Sequence, residues 1–149
     1  MTKIRITKEF KFEMAHALKD YDGLCKNIHG HSYLLYVTVI GEPAKTPNQP
    51  KDGMVMDFGD LKSIIRKSII NKLDHALVLN SKTSKKLANE LANSFDNVVF
   101  VDYQPTSENM LLDFASSIQN ELPVHVKLHS MKLCETATSY AEWFASDNI

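Results

Sequence analysis

The sequence is poor in cysteine, in net charge and in long apolar runs, and each shortage excludes a class of protein. Two cysteines, Cys25 and Cys134, are too few for the disulfide framework of a small secreted domain. A formal net charge of -1 gives no general affinity for nucleic acid or anionic membranes. The longest apolar runs, such as VVFV at 98–101, fall far short of the roughly 18 residues that span a bilayer. We therefore expect a cytoplasmic protein without a nucleic-acid or membrane partner.

The length and the apolar content indicate one folded unit. The chain has 149 residues, of which 44% are hydrophobic, so it can bury a substantial core. No internal repeat and no low-complexity segment divides it. We predict a single domain over residues 1–149.

Alternating side chains in the first third of the chain predict two strands. Residues 4–16 place apolar side chains on one face and charged ones on the other, and His16 ends the apolar face. Residues 31–40 are rich in β-branched and aromatic side chains. A proline-rich loop at 41–53 follows them and precedes a helix that Asp57 or Asp60 can cap. A histidine is thus predicted at the inward end of a strand.

The rest of the chain mixes helices with further strands. The apolar phase changes between Leu128 and Met131, which predicts a β-bulge. Because strand pairs flank the helical segments, we predict an α+β fold in which helices pack on one face of an antiparallel sheet. The predicted later elements are strands at 97–102, 124–135 and 137–145, a polar helical segment at 81–95, and a helix that begins after Pro105 with Thr106 as its cap.

The stretch CKNIHGH, residues 25–31, contains the residues best suited to bind a metal. On an extended chain His29 and His31 point to the same side, so both imidazoles can reach one ion. If the first two strands pair, His16 can join them. Three histidines with an open fourth position are typical of a catalytic zinc site rather than a structural one.

Cys25 admits three interpretations. It can be a fourth zinc ligand, since a Cys-x3-His spacing is tolerable. It can be an inert small side chain, although its neighbours are polar. It can also be a base or nucleophile whose pKa a nearby cation lowers.

Further candidates are weaker when taken alone. Asp74 can orient His75 or stabilise its protonated form, as in an acid–base pair, although such pairs also occur by accident at helix ends. Glu135 follows a strand and can bind the edge of a guanidine-like ligand through two hydrogen bonds. The PTSEN segment, residues 105–109, exposes helix N–H groups that can meet a ligand. Cys134 is expected in the core.

Six short motifs in a fixed order resemble the 6-pyruvoyl-tetrahydropterin synthase family. The resemblance extends over nearly the whole chain, and the ordered set is specific although each piece is short. The motifs are FEMAH (12–16), CKNIHGH (25–31), MDF.DLK (56–62), LDHALVLN (73–80), PTSEN (105–109) and CET.T...Y (134–140).

The resemblance also distinguishes three branches of that family. Cys25, His29 and His31 form the Cys-x3-His-Gly-His spacing of the branch that makes 6-carboxytetrahydropterin for queuosine biosynthesis. The pyruvoyl-forming branch usually has a longer gap, and a folate-related branch usually replaces the cysteine by glutamate. The loop 43–53 and the segment 81–96 are longer here than in compact members of the queuosine branch, and neither touches a motif.

The family's roles can be carried over position by position. The resemblance implies that His16, His29 and His31 bind one Zn2+ per subunit and that Cys25 is the general base. It implies that Asp74 and His75 are the acid–base partners of Cys25. It also implies that Glu135 holds the pterin ring, and we place Thr106 and Glu108 with it as substrate-binding residues.

The implied fold is the tunnelling fold, an antiparallel four-stranded sheet with two helices on one face. The implied assembly is a homohexamer, a dimer of trimers with active sites between subunits. The implied reaction converts 7,8-dihydroneopterin triphosphate to 6-carboxy-5,6,7,8-tetrahydropterin, acetaldehyde and triphosphate. The alternatives are the pyruvoyl-forming reaction, which releases no acetaldehyde, and a non-catalytic pterin- or purine-binding module.

Overall fold

The protein is built on one six-stranded sheet, shown by a computed structural model that describes residues 2–149. The strands are β1 (Ile4–His16), β2 (His29–Gly41), β3 (Ala76–Asn80), β4 (Val98–Val101), β5 (Val126–Cys134) and β6 (Tyr140–Phe144). Their order across the sheet is β4-β3-β1-β2-β5-β6.

The helices lie in the connections between these strands. They are α1 (Phe58–Ile65), α2 (Asn71–Leu73), α3 (Lys85–Ser94) and α4 (Ser107–Gln119), with a π-helical turn at Arg66–Ile70 between α1 and α2. The inward faces of β1, β2 and β5 form a continuous core with the apolar sides of α1 and α4. The predicted α+β class, with helices packed on one face, is confirmed.

The expected four-stranded antiparallel sheet accounts for only part of the observed one. The strands β1, β2, β5 and β6 are joined by antiparallel pairing, as predicted. β4 lies within the strand predicted at 97–102, whereas β3 was not predicted. The parallel pairing of β3 with β1, and of β4 with β3, was not expected. A parallel pair needs a crossover connection, which α3 provides between β3 and β4. The segment at 81–96 therefore brings one more strand to the sheet edge.

Local predictions in β5 are largely confirmed. The register between β2 and β5 shifts at Thr38/Val39, which leaves His129 without a partner in the ladder. This bulge lets both Leu128 and Met131 face the core. Cys134 was expected in the core, but it is half-buried because side chains alternate and the neighbouring Leu133 takes the inward position.

Two further findings concern the chain as a whole. Within residues 2–149, no helix is long and apolar enough to cross a membrane. Both cysteines are free thiols.

Candidate metal and pterin site

Strand pairing brings the three predicted histidines together. His16, the last residue of β1, lies directly opposite His29, the first residue of β2, and Met14 lies opposite His31. His29 and His31 are two residues apart and therefore share a face of the sheet. Each imidazole offers one ring nitrogen as a ligand atom, and these three nitrogens all lie within 4.8 Å of one another. The three side chains could hold a metal ion.

Backbone carbonyls fix the tautomers of two of these imidazoles. His16 Nδ1 donates to the Pro105 carbonyl oxygen at 2.7 Å, and His29 Nδ1 donates to the Asn27 carbonyl oxygen at 2.7 Å. With the proton on Nδ1, each Nε2 carries a lone pair, and these two Nε2 atoms are 3.1 Å apart. Lone pairs facing each other at this distance repel unless a cation lies between them. This arrangement fits a bound divalent metal, and carbonyl-oriented histidines are its usual ligands.

The burial of the histidine cluster also favours metal binding. His16 is 1% exposed, and this burial is the main cause that lowers its pKa, against the opposing effect of the Pro105 carbonyl. The Nε2 atom of His31 is buried and, among residues 2–149, has no hydrogen-bond partner. A buried ring nitrogen without a hydrogen-bond partner is available to coordinate a metal.

Glu135 lies beside the cluster, at the end of β5. Its backbone N–H donates to the Ser139 carbonyl oxygen at 3.0 Å, which closes the turn to β6. Its Oε1 atom is 3.3 Å from His31 Nε2 and 3.5 Å from His16 Nε2. The carboxylate therefore reaches the position to which the imidazoles point.

Two buried hydroxyls that sequence reasoning missed surround this carboxylate. Tyr33 is 1% exposed and packs its ring edge-on to those of His16 and His31, at centroid distances of 6.3 and 5.5 Å. Burial raises the pKa of Tyr33 far above its usual range, and the nearby Glu135 carboxylate adds to this. Ser107, the first residue of α4, is 8% exposed, and among residues 2–149 neither hydroxyl oxygen has a hydrogen-bond partner. Tyr33 could have been found from its position two residues after His31, which places both side chains on one face of the strand. Nothing in the sequence distinguishes Ser107 from an ordinary serine at the start of a helix.

The two PTSEN residues that were predicted to bind substrate, Thr106 and Glu108, have different environments. The hydroxyl of Thr106 caps α4 by accepting a hydrogen bond from Asn109 N at 3.3 Å, so it serves the helix in this structure. Glu108 is exposed and lines a cavity of about 150 Å³ together with Ser107, Glu135 and Ser139.

Cys25 lies next to this site but outside the group of metal-binding atoms. It is half-buried in a single 3-10 turn, Leu24–Lys26, and its carbonyl oxygen accepts from Leu18 N at 2.9 Å. Its thiol is near enough to contribute to the raised pKa of Tyr33. Because Cys25 is not among the atoms that converge within 4.8 Å, the geometry does not favour its interpretation as a fourth ligand.

Asp74 and His75 form a pair that the backbone of β1 holds in place. Asp74 Oδ1 is 3.1 Å from His75 Nδ1 and accepts a hydrogen bond from Glu13 N at 3.0 Å. His75 N donates to the Glu13 carbonyl oxygen at 2.6 Å, and His75 has a positive φ of 60°. The Glu13 N–H is the main cause that lowers the pKa of the Asp74 carboxyl, followed by His75.

The structure shows no hydrogen bond between this pair and the histidine cluster. Within residues 2–149, no hydrogen bond of the pair reaches Cys25, Glu135 or the three histidines. The His75 side chain is 78% exposed and lines a cavity of about 760 Å³, which His31 lines as well. The pair and the cluster, which were predicted to act together, thus meet at one cavity without a hydrogen bond between them.

The comparisons with known proteins agree with the motifs. The sequence model of the 6-pyruvoyl tetrahydropterin synthase family matches residues 5–146. The 6-carboxy-5,6,7,8-tetrahydropterin synthase of Haemophilus influenzae is 34% identical over 141 residues, covering 93% of this chain and 97% of that protein. The enzyme of the same name from Synechocystis is also 34% identical, covering 94% and 92%. A 6-pyruvoyl tetrahydrobiopterin synthase of Pongo abelii is 36% identical over 116 residues, covering 76% and 66%.

Solved structures extend the likeness to the fold. An uncharacterised protein of Wolinella succinogenes superimposes with a TM-score of 0.76 at 20% identity, covering 97% of this chain and 99% of that one. The 6-pyruvoyl tetrahydropterin synthase of Plasmodium falciparum superimposes with a TM-score of 0.71 at 21% identity, covering 96% and 98%. The motifs, the family match and the shared fold lead to one conclusion: this chain belongs to the 6-pyruvoyl tetrahydropterin synthase family.

Proposed function

We propose that the protein is a zinc-dependent lyase that converts 7,8-dihydroneopterin triphosphate and one water molecule to 6-carboxy-5,6,7,8-tetrahydropterin, acetaldehyde and triphosphate. The observation that carries the proposal is the converging set of His16, His29 and His31 with Glu135 and Cys25 beside it. Two relatives of 34% identity that cover almost the whole chain have 6-carboxytetrahydropterin synthase names. We place the reaction in queuosine biosynthesis and in the cytoplasm.

The residues in and around the cluster have separate roles in metal binding, substrate binding and proton transfer. Zinc, held by the three Nε2 atoms, supplies a Lewis acid that polarises the side-chain oxygens of the substrate. The Glu135 carboxylate accepts hydrogen bonds from the amino and N–H edge of the pterin, which fixes the direction of its side chain. Ser107 and Glu108, which line the same small cavity, contact the ring beside it. The Cys25 thiolate removes a carbon-bound proton, and a nearby cation favours that thiolate at neutral pH.

Proton return requires a second group, and we assign it to Asp74 and His75. The carboxylate orients the imidazole through the contact at Nδ1, so Nε2 is free to exchange a proton with the substrate. Since no hydrogen bond within residues 2–149 links this pair to its own chain's Cys25 or Glu135, we propose that it completes the site of a neighbouring subunit. The assembly we propose is a homohexamer made of two trimers.

The experiment that tests the reaction is an assay of the zinc-loaded protein with 7,8-dihydroneopterin triphosphate, in which acetaldehyde and the pterin product are both measured. We expect acetaldehyde and 6-carboxytetrahydropterin in equal amounts. Cys25→Ala should abolish turnover, whereas Cys134→Ala, a matched change at the other free thiol, should retain it.

Other products would identify the alternatives. The similarity to a 6-pyruvoyl tetrahydrobiopterin synthase makes the pyruvoyl-forming reaction the second candidate, and it predicts triphosphate release without acetaldehyde. A non-catalytic module predicts pterin binding that survives Cys25→Ala, with no turnover in either protein.

A further inference from the structure

The contacts of Glu135 have the dimensions of a metal coordination shell. A tetrahedral zinc ion with ligand bonds of about 2.0–2.1 Å separates its ligand atoms by about 3.3 Å. His16 Nε2 is 3.1 Å from His29 Nε2, and Glu135 Oε1 is 3.3 Å from His31 Nε2 and 3.5 Å from His16 Nε2. Glu135 Oε1 thus lies at the separation expected of a fellow ligand from two of the three imidazoles.

From these distances we propose that Glu135 is the fourth metal ligand of the resting protein and leaves the metal when a pterin ring binds. The inference rests on the proposed function, because that function assigns the same carboxylate to the pterin. The two uses compete, since Oε1 cannot stay beside the histidines while the carboxylate turns to the edge of a ring. The metal site is therefore closed at rest and opens only when its substrate is in place.

The surroundings of Glu135 support a metal-bound state. Its side chain is 30% exposed, and the ion-pair partners it has within residues 2–149 are His16 and His31. No lysine or arginine within residues 2–149 forms an ion pair with it. A partly buried carboxylate without such a partner is stabilised by a cation, and a metal held by the histidines provides one.

The buried hydroxyl of Tyr33 gives the displaced carboxylate a second contact. The hydroxyl lies close enough to Glu135 for the carboxylate to raise its pKa through charge and a hydrogen-bond interaction. In the resting arrangement, however, the two groups do not reach the geometry of a full hydrogen bond. The hydroxyl is a donor at neutral pH, and a carboxylate that rotates off the metal can accept its hydrogen bond. Tyr33 is in this respect a positioning residue for Glu135.

Metal affinity in the absence of any pterin tests the closed state. The zinc dissociation constant is measured by competition with a chromophoric chelator for the wild type, for Glu135→Gln, and for Glu142→Gln, which removes one exposed carboxylate from β6. We expect zinc binding to weaken at least tenfold in Glu135→Gln and to stay unchanged in Glu142→Gln. Equal affinity in all three proteins, with unchanged circular dichroism, overturns the proposal.

Access of a small anion to the metal tests the opening. In protein loaded with Co2+, azide binding is followed by visible absorption, with 6-methylpterin as a ring that has no side-chain hydroxyls to offer the metal. We expect wild-type protein without pterin to bind azide weakly. Azide should bind at least tenfold more tightly to Glu135→Gln, and also to wild-type protein after 6-methylpterin is added. Azide affinity that is the same in all three conditions overturns the proposal.

The two measurements separate this inference from the proposed function. If 6-methylpterin fails to bind, as judged by quenching of its fluorescence, the pterin role of Glu135 and the opening step are both wrong. The zinc affinities still decide the closed state, because they involve no pterin. If 6-methylpterin binds and acetaldehyde is never formed, the proposed reaction is wrong. The azide affinities then still decide whether Glu135 closes the metal site at rest and leaves it when a pterin binds.

Discussion

The polar atoms that are buried without a partner lie together at one place, around Glu135. They are His31 Nε2, the Tyr33 hydroxyl and Ser107 Oγ, within residues 2–149. A buried polar atom without a hydrogen bond costs about 1–3 kcal/mol, so a chain optimised for stability alone would avoid three of them in one site. Their concentration indicates that the partners of these atoms are a metal and a ligand rather than other side chains.

Tyr33→Phe measures this cost directly. The substitution keeps the stacking on Phe12, at a centroid distance of 5.0 Å, and removes only the unpaired hydroxyl. We expect the free energy of unfolding of the metal-free protein to stay equal or rise by about 1 kcal/mol, measured by urea denaturation.

The matched control is Tyr103, a tyrosine whose pKa is also raised by burial. The Tyr103 hydroxyl donates to Asp113 Oδ2 at 2.8 Å, so Tyr103→Phe removes a hydrogen bond that is made. It should lower the free energy of unfolding by about 1 kcal/mol. If Tyr33→Phe destabilises the protein as much as Tyr103→Phe does, the Tyr33 hydroxyl has a partner in the folded chain.

Asp74 makes stability depend on pH in the acid range. Its pKa is lowered in the folded state, so its ionised form contributes stability above the unfolded value of 3.8, and this is lost as pH falls through the folded value. Asp74→Asn should therefore lose less stability than wild type between about pH 5 and about pH 3. The measurement is thermal denaturation of metal-free protein, which removes the effect of zinc release. Asp22→Asn, in an exposed loop, serves as the control, and equal pH dependence of wild type and Asp74→Asn would contradict the prediction.

Elements whose side chains alternate clearly were predictable from the sequence. β1, β2 and the bulge in β5 follow from a two-residue period on a half-buried sheet, and α4 follows from its capping residues. The same period placed His16, His29 and His31 on one face, so the metal cluster was predictable as well. These features depend on neighbours in sequence or on one hairpin-like pairing.

The parallel pairings of β3 and β4 were not predictable in the same way. Both strands are short, at five and four residues, and neither alternates. Their partners are chosen by contacts that are distant in sequence and by a crossover helix, and no local pattern records such a choice. Ser107 was missed for a related reason, because its burial depends on how α4 packs beside the turn after β5.

The caps of α3 and α4 should differ in their effect on the whole fold. Thr106 caps α4, which contributes six buried residues, whereas Ser84 caps α3, which contributes none. Thr106→Ala should lower the global free energy of unfolding by about 1 kcal/mol. Ser84→Ala should mainly increase local fraying of α3.

Hydrogen exchange separates local from global effects. Amides of α3 should exchange faster in Ser84→Ala while those of β1 and β2 keep their rates. An equal loss of global stability in both variants would show that α3 is more tightly coupled to the core than its exposure indicates.

At the scale of the whole molecule, we propose that one chain does not complete the site alone. Cys25 and Glu135 both lie near Tyr33, and neither lines the cavity that His75 lines. The proposed hexamer predicts a mass of about 100 kDa by light scattering, from chains of 16.9 kDa.

Mixed assemblies test whether sites are shared between subunits. Cys25→Ala and His75→Ala should each be inactive, yet their co-expression at equal levels should restore about a quarter of wild-type activity, because one site in four combines two intact groups. The matched control is Cys25→Ala with Glu135→Gln, two changes in the same cluster, which should restore nothing. Failure of the first mixture to recover activity would show that each chain completes its own site.

The left-handed backbone of His75 has a consequence for anyone who redesigns this protein. At a φ of 60° glycine and asparagine are the residues that a stability calculation prefers, and histidine carries a conformational cost. Redesign guided by thermostability would thus replace His75 early, and expression yield and melting temperature would both improve. The resulting library would be enriched in well-folded proteins that have lost the group we propose as the proton donor, so this position has to be held fixed before any stability optimisation begins.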